Sequence, residues 1–306
     1  MKTYFLIALL LLVQARICFS QTTSLKPIPL TEAWENKIYE LAPSKAEASI
    51  SKKHKVLLFS LHTGFEHWVI PHADVVVEAL GQKSGAFEVV KSKDISIFEK
   101  KNLKQFDAIV LNNNCSEREK RNIFYDALKG GLTEEERVKK AVQLEKNLLS
   151  FVKKGGGLVV LHGGITMQNK SAAFSQMVGG SFDYHPRQQM LELKVVEPGH
   201  PITKVFEGKS FSHIDEPYFF NNAYLEKDFK PLLYVETAKI KEMKHQPEDK
   251  LNYVSWIKRY GKGRVFYASP SHNAQSYENT VMLQFYLNGI QYALGDLECG
   301  DSPIGR

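Results

Sequence analysis

From His54 onward, short continuous apolar runs alternate with amphipathic stretches, and this alternation constrains the fold more than any other feature of the chain. Lys55-Val56-Leu57-Leu58-Phe59-Ser60 has no polar alternation, as expected of a parallel strand covered on both faces. Val69 to Leu80 follows with apolar residues at helical spacing, and Pro71 falls in its first turn, where proline is tolerated. Phe87-Glu88-Val89-Val90 reads as a second strand and Phe106 to Leu111 as a third, running into Asn112-Asn113-Asn114. Thr133-Glu134-Glu135-Glu136 is a capping-box sequence. It predicts a long helix through Leu144, Leu148 and Val152 that stops at Gly155. Leu158 to Leu161 is then a buried strand feeding His162. Strands alternating with helices imply right-handed crossovers and an α/β fold with a mostly parallel sheet.

The second half is richer in strands: Leu191 to Val196, Pro231 to Val235, Tyr253 to Ile257 and Arg264 to Ala268. Tyr260-Gly261-Lys262-Gly263 is a tight turn between the last two, and Thr280 to Leu294 is a closing helix. No repeat or linker interrupts this run, so one domain is expected over residues 54–297, with a short tail over 298–306. Ahead of it, residues 21–53 are polar and proline-marked. Leu30, Trp34, Ile38 and Leu41 recur there at helical spacing behind Thr31 as N-cap, which predicts one amphipathic helix.

Residues 1–20 have the form of a secretory signal peptide: Lys2, an apolar run from Tyr4 to Val13, and Ser20 at the expected cleavage point. The expected product is exported, periplasmic or extracellular. Cys18 is poorly placed for lipidation, and no other stretch is apolar enough to span a membrane. Two cysteines would remain, Cys115 and Cys299, read as free thiols rather than a disulfide framework. The net charge of +6, from 40 basic and 34 acidic residues, would fall to +4 with the loss of Lys2 and Arg16. Lysines are interleaved with glutamates and no basic block carries aromatics, which argues against nucleic-acid binding.

Chemistry concentrates on histidines at the ends of predicted strands: His67, His162, His185 and His272. In open α/β sheets, ligands bind beyond the carboxyl ends of the strands, so these imidazoles can converge on a metal or acid–base site. His162, His185 and His272 are the candidate metal ligands, and mixed histidine and carboxylate ligands would suit zinc or a similar divalent ion. Asp215 and Glu216 follow Ile214; adjacent carboxylates on a strand point to opposite faces, so only one can face the pocket. With His162 and Tyr218, these two carboxylates are the candidate catalytic residues. His67 and Trp256 are candidate substrate contacts, Trp256 as a stacking platform or a core residue. Gly155-Gly156-Gly157 precedes a strand rather than joining strand to helix, so no nucleotide cofactor is expected. The segment Val159 to Gly164 resembles a nucleophile elbow but carries neither serine nor cysteine, which disfavours acyl transfer.

Taken together, these residues resemble the ThuA-like family, named for trehalose utilisation and similar in fold to class I glutamine amidotransferases. The resemblance rests on Gly64-Phe65 with His67, Phe106-Asp107-Ala108, the triple glycine before Val160-Leu161-His162-Gly163, and Gly179-Gly180-Ser181-Phe182 before His185-Pro186. It continues through His200-Pro201, Asp215-Glu216 with Tyr218, Trp256, Tyr260 to Tyr267, His272 and Gly289 to Leu297. It implies a flavodoxin-like α/β domain without the amidotransferase nucleophile, acting on disaccharides or their 3-keto derivatives. Two departures are visible. Thr166 stands where relatives tend to carry an aspartate four residues after the elbow histidine, and Tyr253-Val254 replaces a proline-valine lead-in before Trp256.

The expected function is therefore an exported protein of carbohydrate catabolism with a small sugar as its partner, in an oligomeric state that sequence does not define. The leading expectation is an enzyme that enolises glycosides or 3-keto-glycosides with metal assistance, giving isomerisation, epimerisation or elimination. A non-catalytic sugar-binding or accessory protein of the same fold is the alternative, and a metal-dependent hydrolase a weaker one.

Overall fold

The computed structural model describes residues 24–304; the signal-peptide reading of residues 1–20 lies outside them. Helix α1 (Glu32–Leu41) precedes β1 (His54–Phe59), α2 (Ile70–Ser84), β2 (Phe87–Ser92), α3 (Lys100–Leu103), β3 (Ala108–Asn112), α4 (Ile123–Ala127) and α5 (Glu134–Lys153). Then follow β4 (Gly157–Leu161), α6 (Ala172–Val178), β5 (Ser181–Tyr184), β6 (Gln189–Val195), β7 (Phe211–Asp215) and β8 (Phe219–Asn221). The chain closes with β9 (Lys230–Glu236), β10 (Leu251–Tyr260), β11 (Gly263–Ala268) and α7 (Thr280–Leu294).

Nine strands form one sheet in the order β2-β1-β3-β4-β11-β10-β9-β6-β7, and β5 pairs separately with β8. The first five are mutually parallel. Their order has the 2-1-3-4-5 pattern of flavodoxin-like sheets, in which ligands bind at the switch point between the first and third strands. The remaining strands add antiparallel. This extension has a local cause: β10 and β11 are joined by a two-residue turn with Gly261 at φ +61°, and a two-residue loop can join only antiparallel neighbours.

Period-two alternation divides the core. Val56, Leu58, Val110 and Val159 pack on one side with α2 and α7, whereas Leu57, Phe59, Ile109, Leu158 and Val160 pack on the other with α5 and α6. Residues of β3 and β4 are buried throughout, which explains their unbroken apolar runs. Helix α1 has its predicted N-cap, Thr31, and buries Trp34 and Ile38. The tail is tied down as well: the backbone N–H of Ile304 donates to the Phe229 carbonyl, and Asp301 accepts from Tyr292. No helix among the described residues is long and apolar enough to cross a membrane.

The predicted capping box at α5 is formed in both directions between Thr133 and Glu136. Replacing an N-cap threonine by alanine removes the acceptor for an orphan backbone N–H and typically loses about 1 kcal/mol. Thr133→Ala should accordingly lower Tm by roughly 2 °C in a chain of this size. An unchanged melting curve would mean that other contacts alone hold the start of α5.

Candidate metal and substrate site

Strand β4 ends in an elbow. His162, the first residue after it, has φ +44°, a left-handed conformation that disfavours a non-glycine residue by roughly 1–2 kcal/mol. Hydrolases use such a turn to present a nucleophile; here it presents an imidazole. Next to it, a Cβ on Gly163 would fall 2.8 Å from Cε1 of His67 and 2.9 Å from Sγ of Cys115, so only glycine lets the elbow close against its neighbours. His162 Nδ1 lies 2.6 Å from the Ser269 carbonyl oxygen. A carbonyl only accepts, so Nδ1 carries a proton and Nε2 is the nitrogen that faces the site.

Three further side chains meet that nitrogen. His67 comes from the loop between β1 and α2, His272 from the loop after β11, and Glu216 from the residue following β7. One donor atom from each of the four lies within 4.8 Å of all the others. His162 Nε2, His272 Nδ1 and Glu216 Oε2 form a tight triangle, with separations of 3.3 Å between the imidazoles and 3.3 and 3.1 Å to the carboxylate. Zinc bonds of 2.0–2.1 Å in a tetrahedron imply an edge of about 3.3 Å. With both imidazoles neutral, as metal ligation requires, the triangle is also short of protons. His162 Nε2 and Glu216 both accept, and a neutral His272 has one Nδ1 proton to share between them. A cation at the centre would satisfy every lone pair at once, so the donor set fits a divalent metal. The hydrogen bond from His162 to Ser269 would then be the outer contact that fixes a ligating imidazole.

These groups perturb one another. Burial by itself would raise the Glu216 carboxyl, but His162 and His272 outweigh it and hold it well below the usual carboxylate range. Burial works against a charged His272, yet Glu216 prevails and lifts its pKa. Burial, reinforced by His162 and His272, pushes His67 well below the ordinary histidine value.

Asp215 lies on the opposite side of its strand end and does different work. Its carboxylate accepts backbone N–H groups from Glu216 at 2.8 Å, Ser271 at 2.8 Å and His272 at 3.2 Å. It therefore clamps the His272 loop, in which Ser271 is held at φ +122°, a region that L-residues rarely adopt. The triple asparagine after β3 stitches the neighbouring loops. Asn113 Oδ1 accepts the Gly163 N–H, and Asn114 Nδ2 donates to the carbonyls of Phe59 and Leu61.

Beside the cluster is a cleft of about 340 Å³. His67 and Glu216 reach its wall, as do Tyr218, His185, Cys115 and Thr166. Tyr218 stacks obliquely on His162, with ring centroids 4.2 Å apart, and burial raises its phenol well above the ordinary value. His185 is set further out: it is half-exposed, with Nε2 3.7 Å from Glu216 and Nδ1 2.8 Å from the Pro186 carbonyl. It is not part of the four-donor cluster, which takes in His67, read from sequence as a substrate contact. Of the two roles read for Trp256, stacking platform and core residue, the structure bears out the second and corrects the first. Trp256 is fully buried in an aromatic core between Phe229 and Tyr267, with Nε1 donating to the Val178 carbonyl, so it cannot stack on a ligand. The inward pleat of β10 puts it there, and a sequence motif does not reveal which face of a strand is lined by helices. Exposed Phe65, at the cleft rim, is the aromatic that sequence reasoning passed over, although it stands in the same Gly64-Phe65-Glu66-His67 run. Cys115 was also missed as a site residue; its Sγ lies 3.6 Å from His67 Nδ1.

Comparison with known proteins agrees with this architecture. The chain is similar in structure to a ThuA-like protein from Bacteroides uniformis, with 17% identity and a TM-score of 0.59 over 80% of this chain and 94% of that one. A ThuA-like protein from Parabacteroides merdae matches with 17% identity and a TM-score of 0.55, over 83% of this chain and 98% of that one. At such identities the likeness speaks for the fold alone. No curated protein matches the chain. The family model described as ThuA, trehalose utilisation, matches residues 55–293, spanning every strand of the parallel half and all four donors of the cluster. The chain belongs to the ThuA family.

Proposed function

We propose that this protein is a metal-dependent enzyme that enolises 3-keto-glycosides outside the cytoplasm. The observation that carries the reading is the convergence of His67, His162, His272 and Glu216 on one point beside a cleft of monosaccharide size. A divalent ion held there would act as a Lewis acid toward a sugar carbonyl and the oxyanion that develops from it. A carbonyl at C3 acidifies the proton at C2, so the chain itself must supply a base. His185, half-exposed on the cleft wall and outside the donor cluster, is placed to take that proton. The phenol of Tyr218 is a hydrogen-bond donor for a sugar hydroxyl, and Phe65 offers a face for the apolar side of the ring. Export is supported by the leader-like residues 1–20, with Lys2 and the apolar run that follows.

The test is proton NMR of the protein with a 3-keto glucoside in D2O, with and without chelator. We expect the C2 proton signal to disappear at least about tenfold faster than without protein, and chelator to abolish the effect. A sugar that binds but exchanges no faster would make this a binding protein rather than an enzyme.

A further inference from the structure

The cleft carries two guanidinium groups that the reading above leaves unused. Arg118 and Arg121, in the segment between β3 and α4, both line it. Neither forms an ion pair with any described carboxylate. Arg121 is half-buried, and its one hydrogen bond from the side chain is a long one, from Nη1 to the Ser116 carbonyl at 3.4 Å. Its backbone is left-handed, at φ +53°, in a turn closed by its own N–H donating to the Glu117 carbonyl. That turn sets the side chain on the cleft wall rather than over the outer surface. Glu216 is the sole carboxylate among the residues lining the cleft, and it is engaged by imidazoles. Thr166, also on the cleft wall, is neutral, its hydroxyl donating to the Gly163 carbonyl. A cleft with two arginines and one committed carboxylate is electropositive, and a bound divalent ion would make it more so. Planar guanidinium groups recognise carboxylates and phosphates in paired hydrogen bonds, and such bonds strengthen in a partly dehydrated site.

We infer that the substrate of this cleft is an anionic sugar, with its carboxylate or ester-linked phosphate or sulfate seated on Arg121 and Arg118 and its ring directed toward the His/Glu cluster. The ring rests on the sugar reading above; the anion seat rests on the arginines alone.

Calorimetric titration of the full protein with methyl β-glucuronide and methyl β-glucoside tests it, since the two differ only in a carboxylate for a hydroxymethyl group. Inorganic sulfate serves as a ring-free probe. The glucuronide should bind at least about tenfold more tightly at low ionic strength, with the gap narrowing as salt screens the charges. Arg121→Lys and Arg118→Ala should each erode that preference while leaving glucoside binding unchanged. Lysine at position 121 keeps the chain's charge and guards against a folding defect. Equal binding of the two sugars, or a preference that survives both substitutions, would overturn the inference and leave the sugar reading intact. Sulfate bound in an arginine-dependent way with neither sugar bound would uphold the anion seat and remove the sugar. If neither the sugars nor sulfate bound, the inference would be overturned.

Discussion

Glu216→Gln should reduce affinity for zinc or a comparable divalent ion at least about 100-fold while leaving the fold in place. The substitution keeps the shape of the side chain and removes its charge. An amide oxygen is a weak donor to a transition ion, and the loss of even an outer contact to a metal ligand typically weakens binding 10–100-fold. The fold is spared because the glutamine amide can still hydrogen-bond the imidazoles at 3.1 and 3.3 Å. The two effects are separable by measurement: metal affinity by competition with a chromophoric chelator, folding by circular dichroism and melting without metal. Exchange of the sugar C2 proton should fall in parallel with metal occupancy. Equal metal affinity in the variant and the parent protein would refute the four-donor site.

Asp215→Ala should have the opposite profile, a large loss of stability from a residue that touches no ligand. Asp215 is 1% exposed, and its two oxygens accept three backbone N–H groups from two separate loops. Alanine would strand those donors in the interior and release the strained turn at Ser271. A buried donor left unsatisfied costs about 1–3 kcal/mol, and removing one member of a buried charged network about 3–5 kcal/mol. We expect a loss of about 4 kcal/mol in the free energy of unfolding, read as a lower urea midpoint at unchanged m-value. Asp215→Asn should recover part of it, because one amide oxygen still accepts. Since the same carboxylate holds the His272 backbone, metal affinity should drop in the alanine variant even where enough folded protein survives to measure it. A midpoint within error of the parent would show that the clamp contributes nothing.

These two neighbours illustrate why the site was only partly legible in advance. Strand periodicity requires that Asp215 and Glu216 face opposite ways, but it does not say which faces the cleft. That choice depends on the pairing of β7 with β6 at the far edge of the sheet, an antiparallel contact with no short-range sequence signal. The same limit applies to Trp256, whose face of β10 is set by what packs against it. His67 and His185 lie near one another in space, and only the loop conformations decide that His67 enters the donor cluster and His185 stays at the wall.

Local physical chemistry determined the rest directly from the amino acids. Unbroken apolar runs marked the parallel strands because both faces of that half of the sheet are covered. Thr31, Thr133 and Gly155 marked helix ends because orphan backbone groups there need partners or a left-handed residue. The ThuA family was legible for a related reason: several of its motifs, such as those around His162 and His272, sit at strand ends, where chain reversal restricts residue choice. Tertiary structure alone decided the antiparallel extension, the face each strand presents and the convergence of four donors from four loops. Those depend on contacts between residues up to about two hundred positions apart, as His67 and His272 are, and no local pattern encodes a distance of that kind.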